Sequence, residues 1–209
     1  MHAMKTFLIA NPKGGSGKST LATNLAGYFA RAGQRVVIGD SDRQQSAHEW
    51  LAIRSRHLPP IGSWDPEADE RPPKETTRVV LDSAAGVHGK ALERVLRLAT
   101  DVIVPVQPSL FDILATGRFL ETLLAEKAVR KERIRVAVVG MRVDARTRAA
   151  GELERFLASF ELPVLSYLRD TQLYVQMAAN GMTVFDLSAA RGEKDTEQWR
   201  PVIDWVDAE

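Results

Sequence analysis

The sequence predicts an α/β fold, a doubly wound, mostly parallel sheet with helices on both faces, and three observations predict it. Short apolar runs alternate with stretches of helical spacing along the chain. Two of those runs, 35–40 and 78–82, end in a carboxylate (Asp40, Asp82), where a buried parallel strand delivers a side chain to the carboxyl edge of its sheet. The first run, Phe7-Leu8-Ile9, passes at once into a glycine-rich turn and then into a helix that opens Lys18-Ser19-Thr20. A chain of 209 residues with 44% hydrophobic content suits one domain, 1–209, with a substantial core.

The turn, Ala10-Asn11-Pro12-Lys13-Gly14-Gly15-Ser16-Gly17-Lys18-Ser19-Thr20, has the chemistry of a phosphate cradle. Its glycines let successive backbone N–H groups converge on a polyphosphate, and the following helix N-terminus adds a favourable dipole. Lys18 would reach the β and γ phosphates, and the Ser19 hydroxyl would ligate Mg²⁺. The strict P-loop pattern wants glycine where Pro12 stands. The chain has instead a second lysine, Lys13, ahead of Gly14-Gly15.

The remaining elements follow in order. Leu21, Leu25, Ala26 and Phe29 give the first helix its apolar stripe, and Gly33 stops it. The strand over 35–40 delivers Asp40 to the carboxyl edge, where ligands bind, while Asp40 and Asp42 are also plain candidates to cap a helix over 44–56. Residues 57–73, with five prolines and four acids, read as a surface loop. The strand 78–82 precedes Ser83-Ala84-Ala85-Gly86, then a helix over 90–99. The next strand, from Asp101, carries Pro105, which predicts broken hydrogen bonding near its end. A helix over 113–128, a strand over 134–140, a helix over 149–160, a strand over 163–167 and a helix over 172–179 complete the alternation. In the tail, Trp199, Ile203 and Val206 are spaced for packing, and its acidic polar face favours a docked helix over a membrane-binding one.

Composition narrows the function classes. The absence of cysteine excludes disulfides, thiolate metal sites and cysteine nucleophiles together. No apolar run approaches the roughly 18 residues of a membrane span, and residues 1–5 lack a signal-type apolar region, which predicts a cytoplasmic protein. The net charge is +1, yet residues 118–148 carry nine basic side chains against four acidic. That segment is either a solvated face or a surface for a polyanion, with Arg142, Arg146 and Arg148 as leading candidates.

The run Lys13-Gly14-Gly15-Ser16-Gly17-Lys18-Ser19-Thr20 resembles the deviant Walker A box of the ParA/MinD family. Residues 40–46 resemble the family's switch I with Arg43 in place of the usual proline, and 78–86 resemble Walker B plus switch II. The resemblance is to short ParA proteins without an N-terminal DNA-binding domain. It implies ATP/ADP and Mg²⁺ as cofactors, with Ser19, Asp40 and Asp82 around the metal, Asp42 orienting the attacking water and Gly86 near the γ-phosphate. It implies Lys13 crossing a dimer interface to the partner's phosphates, an ATP homodimer, non-specific double-stranded DNA as ligand, nucleoid association, and a ParB-like or cargo-bound activating protein. Partition or positioning of a plasmid, chromosome or cellular cargo by slow, partner-stimulated hydrolysis would follow. Many relatives read adenine with an asparagine near 141–144, and this chain has none there. A MinD-like membrane regulator, a P-loop biosynthetic enzyme and a scaffold that does not bind DNA are the competing readings.

Overall fold

A computed structural model describes residues 4–41, 45–68 and 71–208. Its centre is a seven-stranded sheet in which every neighbouring pair runs parallel. The strands are β1 (Lys5–Ile9), β2 (Val36–Asp40), β3 (Gly62–Trp64), β4 (Arg78–Asp82), β5 (Asp101–Val106), β6 (Arg135–Val143) and β7 (Val164–Arg169), in the order β3-β2-β4-β1-β5-β6-β7. The helices are α1 (Lys18–Arg31), α2 (Ser46–Ile53), α3 (Gly89–Leu96), α4 (Leu110–Ala125), α5 (Lys127–Arg130), α6 (Arg148–Leu157), α7 (Gln172–Ala178) and α8 (Ala189–Asp207), with a 3-10 turn at Val184–Asp186.

Because helices cover both faces, the central strands are apolar throughout and their side chains alternate between two cores. Leu8, Val79, Leu81, Val102 and Val104 face the core under α3, α4 and α6. Phe7, Ile9, Val80 and Ile103 face the other, under α1 and α8. The strand order reverses direction beside β1, so the turn after β1 opens into the crevice where such sheets bind ligands.

The parallel sheet is the expected one, while other expectations change. The segment 57–73 is not all surface loop, because β3 lies within it and pairs with β2, burying Ile61 and Trp64 despite the flanking prolines. The helix expected over 44–56 is α2, only Ser46–Ile53. As expected, the pairing of β5 with β1 ends short of Pro105, at Ile103, whereas Pro105 keeps its register opposite Val139 of β6. Its carbonyl, on the β1 side, accepts instead from the Asn11 side chain at 2.7 Å.

The tail docks, as expected, although α8 begins earlier than its apolar spacing reveals. Trp199, Val202 and Val206 are fully buried, and the Trp199 indole donates to the Tyr174 hydroxyl at 3.0 Å. Arg169 of β7 makes a forked pair with Asp195 at 2.9 and 2.8 Å. A second clasp joins distant helices: Arg54, just past α2, is buried against Asp186 of the 3-10 turn, 2.9 Å away. The turn also presses on α1, where a Cβ at Gly27 would lie 2.4 Å from the Thr183 methyl. No helix among the described residues is long and apolar enough to cross a membrane.

Candidate functional site

The site is built where β1 ends. Asn11 is buried and shapes the turn from both sides, donating to Pro105 O at 2.7 Å and to the Thr116 hydroxyl at 2.9 Å while accepting from Lys13 N at 2.8 Å. Gly15 and Gly17 then take left-handed φ values of 77° and 98°, which a Cβ would oppose. This backbone brings the chain into α1 with Gly17 as a cap that lends no side chain and with no acidic residue in the first turn. The start of α1 therefore suits an anion, because neither a capping side chain nor a first-turn carboxylate serves its first N–H groups.

Three further features fit a bound polyphosphate. A Cβ built on Gly14 or Gly15 meets nothing within 4 Å, so the space over the turn is open. The Ser16 hydroxyl is buried with no hydrogen-bond partner among the described residues. Lys18 is buried, and its ammonium donates to Lys13 O at 3.0 Å, bridging the turn it would clamp around phosphate. Together Gly14, Gly15, Gly17, Lys18, Ser19 and Thr20 line a cavity of about 330 Å³, closed on its far sides by Ser46, Ala85 and Arg142.

Asp40 and Asp82 end neighbouring strands and stand opposite one another in register, both buried. Asp40 also accepts from Ala47 N at 2.9 Å, so the capping alternative holds for this carboxylate. Asp42 lies outside the described residues. Gly86, with a left-handed φ of 76°, donates its N–H to Pro12 O at 2.9 Å, which ties the segment after β4 to the turn after β1. From the other side, the Gln107 side chain donates to Gly15 O, linking the exit of β5 to the same turn.

A second cavity, of about 410 Å³, continues from the first through their shared wall of Gly17, Thr20 and Arg142. Met141, Leu168, Asp170, Gln172, Tyr174 and Val175 surround it. The exit of β7 and the start of α7 were missed in the sequence. The signal available was a strand end followed by Thr171, which caps α7 by accepting from Leu173 N at 3.2 Å.

The three candidate arginines have different surroundings. Arg142 faces the cavities on the carboxyl edge. Arg146 is held by Asp144 at 3.0 and 2.9 Å, and Arg148 by Glu152 at 2.9 Å, all at the surface. Lys127, Lys131 and Arg133 lie nearly the length of β6 away, about 30 Å, around a shallow hollow of about 480 Å³ that also holds Arg97, Glu93 and Glu126. That hollow is larger than either cavity above, but it has none of the loop geometry that suits phosphate.

A parallel sheet with a glycine turn leading into an uncapped helix at its topological switch point defines a nucleotide-binding domain of the P-loop class. The chain belongs to the CobQ/CobB/MinD/ParA nucleotide binding domain family, whose model matches residues 7–184. It is similar to the maintenance of carboxysome distribution protein A of Gloeobacter kilaueensis, 27% identical over 97% of this chain and 94% of that protein. Among solved structures it resembles a complex of Cyanothece McdA with ATP, with a TM-score of 0.74, 17% identity and 97% of each chain covered. It also resembles the septum site-determining protein MinD of Pyrococcus horikoshii complexed with Mg-ADP, with a TM-score of 0.73, 15% identity, and 98% of this chain and 96% of that one covered.

Proposed function

We propose that this protein is a ParA-type ATPase that uses an ATP-driven dimer cycle to position a plasmid, a chromosome or another cargo. The observation that carries the reading is the turn 12–18, in which two lysines flank three glycines and the uncapped start of α1. The solved relatives hold ATP in one case and Mg-ADP in the other. In this chain Lys18 and the amides of Gly14 to Thr20 would hold the phosphates, with Mg²⁺ beside Ser19 and water-bridged to Asp40 and Asp82. The cation neutralises phosphate charge when bound. Asp42 is the carboxylate assigned to the attacking water.

Dimerisation through Lys13 gains support from an apolar patch on the same edge. Leu110, Phe111 and Leu114 at the start of α4 are 62, 73 and 52% exposed, and Gln107 ties this region to the phosphate turn. Covering that patch in the ATP state alone would make dimerisation a nucleotide switch. Joined basic surfaces would then hold double-stranded DNA through phosphate contacts, placing the ATP form on the nucleoid and the ADP form in the cytoplasm. A ParB-like or cargo-bound protein would trigger hydrolysis. A MinD-like membrane role is disfavoured because α8 is packed into the core through Trp199, Val202 and Val206.

The test combines light scattering with phosphate release. Wild type should dimerise with ATP and Mg²⁺ but not with ADP, turn over slowly alone, and retain double-stranded DNA of any sequence only in the ATP state. Lys18→Ala should lose nucleotide binding by calorimetry. Retained ATP affinity in that variant, or ATP turnover that requires a small metabolite, would overturn the reading.

A further inference from the structure

Arg142 has a backbone conformation that long side chains seldom adopt. Its φ is 53°, in the left-handed region where a Cβ meets the neighbouring carbonyl. The cause is a bulge: the pairing of β6 with β7 slips between Gly140 and Val143. Val139 and Met141 belong to the core under α1 and α8, as alternation requires, but Val143 belongs to the opposite core. One residue is therefore extra, and it is Arg142, exposed between buried Met141 and Val143. A bulge re-aims a side chain at a sheet edge, and strain of this kind persists where surrounding structure imposes it.

The re-aimed side chain stands at the joint of the two cavities, in the wall that the phosphate cavity and the larger cavity share. It forms no ion pair among the described residues, whereas Arg135, Arg146, Arg148 and Arg169 each face a carboxylate. The 330 Å³ cavity suits phosphates, and the 410 Å³ cavity, with Met141, Leu168 and Tyr174, suits a nucleoside. We infer that Arg142 is a nucleotide-binding residue whose guanidinium takes the phosphate nearest the nucleoside. A group at that phosphate serves the diphosphate and the triphosphate alike, unlike the role assigned to Lys13. The inference rests on the nucleotide reading above and replaces a DNA contact at this position.

Calorimetry with ADP and with ATP, each with Mg²⁺, tests it on three variants. Arg142→Gln should bind both nucleotides about tenfold more weakly or worse, the scale of a lost charge-assisted hydrogen bond. Arg142→Lys should recover part of the loss through its point charge. Arg142→Gly should bind as weakly as Arg142→Gln while its Tm stays at or above wild type, because glycine accepts the left-handed φ. That pairing separates a missing contact from a damaged fold. Wild-type affinity for ADP in Arg142→Gln or Arg142→Gly would overturn the inference, and so would a loss confined to DNA binding. A wild type that binds neither nucleotide would overturn the nucleotide reading itself.

Discussion

Asp186→Ala should destabilise the protein severely although Asp186 touches no part of the nucleotide site. Its carboxylate is fully buried and accepts from Arg54 at 2.9 and 3.2 Å and from the Thr183 N–H and hydroxyl at 2.9 and 2.8 Å. Truncation leaves the Arg54 side chain, 4% exposed, with the carbonyls of Gly181 and Pro59 and the face of the Trp50 ring around it but, among the described residues, no carboxylate. Removing one member of a buried pair costs about 3 to 5 kcal/mol, against a total of about 5 to 15 for a domain. For a chain of this length that lowers Tm by about 6 to 20 °C. Urea denaturation followed by circular dichroism reads the loss directly. Arg54→Met combined with Asp186→Leu should recover most of it, because no charge is then left buried without its counter-ion. A single mutant within about 1 kcal/mol of wild type would refute the reasoning. Acid should mimic the mutation. Burial opposes ionisation of Asp186, but Arg54 and Thr183 outweigh it and hold the carboxyl below its usual 3.8. Stability from the pair is thus complete above about pH 4 and is lost as pH falls through the lowered value.

Three further outcomes are expected. Gly27→Ala should cost about 1 to 3 kcal/mol in the same urea assay, since the added methyl would sit 2.4 Å from the Thr183 methyl and push α1 off the 3-10 turn. Lys13→Ala should bind ADP as a monomer yet fail to form the ATP dimer, and normal ATP-dependent light scattering from this variant would remove Lys13 from the interface. Asp144→Asn should strengthen DNA binding in low-salt filter retention, because Arg146 holds the Asp144 carboxyl down to about 2 and spends its fork on it. Unchanged affinity would mean that Arg146 meets no phosphate.

Much of the fold was legible because β1, β2, β4, β5 and β6 are buried on both faces and so read as continuous apolar runs. β3 escaped because it is three residues long, stands among prolines and lies at the sheet's edge, where only Ile61 and Trp64 pack inward. The first two turns of α8 escaped because Arg191, Glu193, Lys194 and Asp195 conceal the stripe, and Asp195 is buried by its partner Arg169 rather than by its own character. In the site, the glycine turn was readable since its spacing is its chemistry. The buried bonds of Asn11 and the orientation of Arg142 were not, for opposite reasons. Asn11 acts through carbonyl and hydroxyl partners more than 90 residues away, and the orientation of Arg142 depends on a bulge that local composition does not announce.

The clasp between the Lys5 side chain and the Ala208 carbonyl has a practical consequence. Both ends of the described chain lie where β1 starts, whereas the phosphate turn lies where β1 finishes, about 15 Å further along the strand. A fluorescent protein or an affinity handle fused through a flexible linker at either end would therefore hang from the back of the sheet, leaving the nucleotide edge open to ligand and to a second copy. The same proximity suits circular permutation, with a short bridge across 5 and 208 and new ends opened in the Asp65 to Ala68 turn, where Glu67 and Ala68 are exposed. In such a rearranged protein the site should still assemble, because its residues meet at the ends of neighbouring strands.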